Sequence, residues 1–134
     1  MTRTDPSKQR VDLIGTTKSA ELTQATSIAN DISKSVLSLQ LDAGTWLLIG
    51  SIVYATSGTG GRGAWIGTEN VSAAVTWPAH DCVCVPGSTT NTARLEVTHV
   101  VSPSAATTYY LNAYQKSGGN FNVNSAKLTA VRLA

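Results

Sequence analysis

A chain of 134 residues, 42% of them hydrophobic, is long enough for one domain with its own core. Only 13% of residues are charged, and a net charge of +2 offers no general case for nucleic-acid binding. No apolar run reaches membrane-spanning length, and the start, MTRTDPSKQR, lacks the apolar centre of a signal peptide, so neither a membrane partner nor export is expected.

Residues 1–18 read as an irregular arm, with Pro6 and Gly15 interrupting any local period. Arg3, Lys8, Arg10 and Lys18 outweigh Asp5 and Asp12 there, so the arm carries the whole net charge. Such an arm suits docking on an acidic neighbour. The folded domain is then 19–134. Residues 20–26 (AELTQAT) alternate weakly, and 22–32 (LTQATSIANDI) also fit a short helix. Residues 36–41 (VLSLQL) predict a strand, the DAG of 42–44 a turn, and 45–56 (TWLLIGSIVYAT) the strongest strand of the chain. That strand places Trp46, Leu48, Gly50, Ile52 and Tyr54 on one face and Leu47, Ile49, Ser51 and Val53 on the other, which marks it as central.

Residues 57–63 (SGTGGRG) read as a loop whose tip presents Arg62 to a partner, with Trp65 just beyond as a second ligand-contacting side chain. Short strands are expected at 64–69 and 71–76, and a turn-rich stretch from 78 to 91. Residues 93–101 (ARLEVTHVV) alternate cleanly, with Leu95, Val97, His99 and Val101 on one face. Strands at 107–116 and 126–133 follow, with 121–123 extending the latter across the Gly118-Gly119 turn. About eight strands at turn spacings of roughly ten residues predict an all-β, antiparallel jelly-roll sandwich.

Motifs for chemistry are thin. In AHDCVCV (79–85), period two puts His80, Cys82 and Cys84 on one face, but three crowded ligands leave a zinc tetrahedron unfinished. The two thiols are expected to fill core space, and neither a metal nor a cofactor is expected. GTGGRG (58–63) lacks the Lys-Ser or Lys-Thr and the following helix that a phosphate loop needs. No nucleophile elbow and no paired carboxylates stand out, and His99 lies on an apolar face, so the chain is not expected to be an enzyme. The aromatics are more informative. Tyr109 and Tyr110 must point to opposite faces, and Tyr110, Asn112 and Tyr114 form a row suited to an oligomer contact or to a glycan.

The segments QLDAGTWLLIGSIVYAT and TTYYLNAYQKSGGNFNVNSAKLTAVRL resemble a family of small bacteriophage virion domains. These are jelly rolls related in shape to the tumour-necrosis-factor and complement-globular-head fold. The resemblance covers residues 36–56 and 107–134, and nothing in 57–106 carries it. It implies a non-enzymatic homotrimer within the virion, made in the host cytoplasm. An arm entering the domain directly favours a capsid decoration protein, with Arg3, Lys8 and Arg10 meeting the major capsid protein or other virion proteins. The other role that the resemblance implies is a baseplate or tail-tip protein that recognises a host surface glycan.

Overall fold

The computed structural model describes residues 13–74, 82–88 and 93–134. Ten strands follow in order: β1 (Thr17–Glu21), β2 (Thr26–Ile28), β3 (Ile32–Leu41), β4 (Trp46–Tyr54), β5 (Ser57–Gly67), β6 (Ser72–Ala73), β7 (Cys82–Ser88), β8 (Ala93–Val101), β9 (Thr107–Gln115) and β10 (Phe121–Arg132). They form two antiparallel sheets. The first runs β1-β10-β4-β8, with β2 also on β10, and the second runs β6-β3-β9-β5-β7.

Set the short β2 and β6 aside and the pairing is nested: β1 with β10, β3 with β9, β4 with β8, β5 with β7. First meets eighth, second seventh, third sixth, fourth fifth. A long hairpin rolled over on itself in this way is the jelly roll. The expected all-β sandwich is the observed one.

Alternation builds the core. Along β4, Trp46, Leu48, Gly50, Ile52 and Tyr54 are buried, and each residue between them is half-buried. Leu95, Val97 and Val101 face them from β8, while Leu128 and Ala130 do so from β10. From the second sheet come Ala64, Ile66, Tyr109, Leu111 and Ala113. His99 shares the inward side of β8 and is half-buried.

Several boundaries differ from the sequence reading. Residues 17 and 18 already pair with β10, so the sheet begins inside the stretch read as arm. Residues 22–32 are not a helix: they hold β2 and the turn into β3, where Asp31 takes φ 59°, a conformation Asp tolerates better than most residues. The glycine-rich 57–63 is strand, not loop. Strand β5 pairs with both β9 and β7, and a register shift between Ser57 and Gly61 absorbs the irregularity. Strand β7 runs through part of the stretch read as turns.

Candidate functional site

Period two in β9 sends Tyr109, Leu111 and Ala113 into the core and leaves Tyr110, Asn112 and Tyr114 on the outer face of the second sheet. Beside them, β5 buries Arg62, Ala64 and Ile66 and turns Gly61, Gly63, Trp65 and Gly67 outward. The register aligns Gly63 with Tyr114, Trp65 with Asn112 and Gly67 with Tyr110. On the other side of β9, Ser35 lies opposite Asn112 and Ser38 opposite Tyr110. Trp65 and the Tyr110/Asn112/Tyr114 row, read from separate segments of the sequence, thus occupy one face.

Asn112 sits at its centre and is 0% exposed. The Ser35 hydroxyl donates to Asn112 Oδ1 at 2.6 Å and accepts the Val71 backbone N–H at 2.9 Å. This fixes the amide: its oxygen is engaged and its nitrogen faces away from Ser35. Asn112 Nδ2 and Trp65 Nε1 are both sealed from solvent with no acceptor in reach among the described residues. An unsatisfied buried donor costs about 1–3 kcal/mol, so two neighbours of this kind are a marked feature. The Trp65 indole lies across Gly67: a Cβ there would stand 2.8 Å from Cζ3, and Asn112 Nδ2 lies 3.8 Å from the same point. Glycine at 67 is what lets the ring lie flat.

Tyr114 is anchored. Its hydroxyl donates to Asp31 Oδ1 at 2.5 Å, and the carboxylate bond, helped by burial, pushes the phenol up to about 12. Tyr110 is half-buried and walls a hollow of about 390 Å³ shared with Ser35, Val36, Leu37, Ser38 and Asn70. Ser35 therefore belongs both to the hollow and to the Asn112 network.

Arg62 does not belong to this face. It was expected at a hairpin tip, yet it is 0% exposed. The glycines at 61 and 63 face out, so alternation drives Arg62 inward. Its guanidinium carbon lies 4.3 Å from the centroid of the Phe121 ring, and Nη1 donates to Gly61 O at 3.1 Å. Burial lowers its pKa. The residue is built into the fold and is not presented at a tip.

Cys84 was expected to fill core space and is instead exposed, on the outward side of β7 opposite Gly63. His80 lies outside the described residues, as do Arg3, Lys8 and Arg10. Among the described residues, no three His, Cys, Asp or Glu side chains gather to hold a metal ion.

The first sheet presents a different surface. Its outward positions form rows by register: Thr17–Val131–Leu47–Val100, then Ser19–Thr129–Ile49–Thr98, then Glu21–Lys127–Ser51–Glu96. One end of the sheet is apolar and the other charged, with Lys127 Nζ 3.2 Å from Glu21 Oε1. Val100 is 57% exposed, and around the apolar end the chain also exposes Ile14 (52%), Leu133 (44%) and Leu13 (43%). A second hollow, about 440 Å³, opens there between Ile14, Ala43, Gly44, Thr45, Arg132 and Ala134. Period two in β4 foretold its outward Leu47 and Ile49. The gathering of Val100, Val131 and the termini at one corner depends on register, which period alone does not supply.

No family model and no curated protein matches this chain. Solved structures of similar fold include several of infectious bursal disease virus. They include the Gx strain (16% identity, TM-score 0.53), T=1 particles derived from the virus (13%, 0.57) and a VP2 subviral particle (13%, 0.52). Each match covers 87% of this chain and 32–33% of the viral one, so the chain spans about a third of the length of these neighbours. At such identities the likeness is one of fold: this jelly roll is a fold that virus particles contain.

Proposed function

We propose that the chain is a non-enzymatic structural protein of a virus particle. It assembles as a homotrimer through the outer face of its first sheet and seats on neighbouring virion proteins through the adjoining arm. The observation that carries this reading is the apolar corner of Leu47, Val100, Val131 and Leu133, next to the point where residues 13 and 14 lead out of the domain. Exposed apolar side chains gathered at one corner mark an interaction surface on an otherwise polar molecule. A surface with so few charges agrees with burial against neighbours. The fold shared with virus-derived particles supports the same reading. Self-association is better placed on this face than on the Tyr110 row, because Leu47, Ile49, Val100 and Val131 offer contiguous apolar area.

Within the virion the proposed place is the bacteriophage head, as a decoration protein whose Arg3, Lys8 and Arg10 meet carboxylates of the major capsid protein. A second reading, a tail-tip protein that recognises a host surface glycan, is favoured by the aromatic face of the second sheet. Immuno-electron microscopy on intact virions separates the two. Label spread over the head supports decoration, and label at the tail end supports host recognition. Absence of label from purified particles overturns both.

A further inference from the structure

We propose that the outer face of the second sheet binds a neutral saccharide, with Tyr110 stacking on a sugar ring while Trp65 Nε1 and Asn112 Nδ2 donate to one of its oxygens. This deepens the host-recognition reading by naming the surface and the contacts. The two buried donors are the starting point, since each lacks an acceptor among the described residues and they occupy opposed positions on paired strands. Their chemistry asks for an oxygen acceptor: both are N–H groups, and the Asn112 amide is held with its nitrogen away from Ser35.

The rest of the face narrows the class. The three central rows, Ser38–Tyr110–Gly67, Ser35–Asn112–Trp65 and Ser33–Tyr114–Gly63, contain no charged side chain. A phosphate or carboxylate would find no cation among these rows, and the Asp31 carboxylate beside them is already engaged by the Tyr114 hydroxyl. A sugar ring supplies both things the face asks for: C–H surface to lie against aromatic rings, and hydroxyl or acetamido oxygens to accept N–H groups. The hollow beside Tyr110, about 390 Å³ with Ser35, Ser38 and Asn70 in its wall, lies in the size range of small-ligand sites and takes the next sugar unit. Access is through Trp65. Its ring rests on Gly67, with no side chain beneath it at that point and with Asn112 Nδ2 beside the same spot, so a turn of the indole would open the donors to a ligand.

The test uses the full-length protein, fluorescently labelled, on an array of neutral glycans ending in hexoses or N-acetylhexosamines. The best-labelled glycan is then titrated by calorimetry. Wild type is expected to label, and Trp65→Phe, which keeps a ring and removes the N–H, to bind about tenfold more weakly, as loss of one hydrogen bond gives. Tyr110→Ala is expected to weaken binding as much or more, and Asn120→Ser in the exposed turn between β9 and β10 to change nothing. Circular dichroism checks folding, and if Tyr110→Ala is unfolded, Trp65→Phe alone decides. Array labelling by wild type no stronger than by the Trp65→Phe/Tyr110→Ala double variant overturns the proposal, whether both bind or neither does. Because the readout is on isolated protein, its failure is distinct from a failure of the virion location.

Discussion

The Tyr54 hydroxyl oxygen accepts the backbone N–H of Tyr114 at 3.0 Å, although the two residues belong to different sheets. Tyr54 stands on β4, crosses the sandwich beside Phe121, and ends between β5 and β9, where its hydroxyl also lies 2.6 Å from Gly63 O. It is a cross-link under the aromatic face. Tyr54→Phe keeps the ring and leaves these backbone groups without that partner. We expect a loss of about 1–3 kcal/mol in urea unfolding, with an unchanged m-value.

Tyrosine ionisation sets the alkaline limit. Burial raises the Tyr54 and Tyr109 phenols, and the Asp31 bond first and burial second raise Tyr114 to about 12. An unfolded tyrosine ionises near its ordinary value of about 10. Above that pH the folded chain therefore holds more protons than the unfolded one. Stability is complete below it and falls as pH rises, through about 12 for Tyr114. Tyr114→Phe should shallow the fall without abolishing it, because Tyr54 and Tyr109 still titrate. Thermal midpoints from pH 8 to 11.5 measure this, and an unchanged slope in the variant would count against the Asp31 contact.

The strands that could be read from sequence were those whose burial is one-sided and regular. β8 matches its expected bounds residue for residue, and β4 starts and ends within two residues of them, because alternation there is unbroken. What failed was glycine. In 57–63, Gly61 and Gly63 turn outward and a single arginine between them turns inward, so the pattern looked like a loop with a charged tip when it was a strand with an aromatic-stacked cation beneath it. The aromatic face was half legible. Tyr110, Asn112 and Tyr114 fall on one side of β9 by parity, but the partner that completes the face, Trp65, comes through the β5–β9 register across that same glycine stretch. The orphaned donors follow from side-chain packing and have no sequence signal.

Arg62 gives a sharp comparison of charge against shape. Its guanidinium stacks on Phe121 and is wholly buried, so Arg62→Ala loses the stacking and leaves a cavity, a loss of about 2–4 kcal/mol. Arg62→Met fills most of that volume without a buried charge and should be much less damaging, within about 1.5 kcal/mol of wild type. Chemical denaturation of the pair decides. Equal losses would mean that the cation, and not its bulk, holds this part of the core.

Gly60 leaves no room for a side chain. Its φ is +66°, and a Cβ would stand 1.3 Å from the Lys116 carbonyl oxygen. Gly60→Ala must therefore move the chain where Lys116 N donates to Gly61 O at 3.0 Å. Left-handed strain and the clash together should remove roughly 3 kcal/mol or more. Gly118, with φ +93° and open space around it, should lose only the strain under the same change. Thermal melts that rank Gly118→Ala above Gly60→Ala support this.

The apolar corner of the first sheet is testable without knowing the partner. Val100 is opposite Leu47 in the β4–β8 register, and Val131 flanks Leu47 on the other side, so the three form one continuous row. Lysine at position 100 puts a charge in the middle of any contact made there, yet the side chain already points to solvent and the core beneath is untouched. Val100→Lys should therefore keep the wild-type circular dichroism spectrum, while its melting temperature should no longer rise with protein concentration as that of a trimer does. It should also convert the proposed trimer to monomer in sedimentation equilibrium. Tyr110→Lys, on the opposite face, should leave the trimer intact. If it is Tyr110→Lys that dissociates the assembly and Val100→Lys does not, the self-association face is the second sheet, and the saccharide proposed for that surface would have to compete with a neighbouring copy.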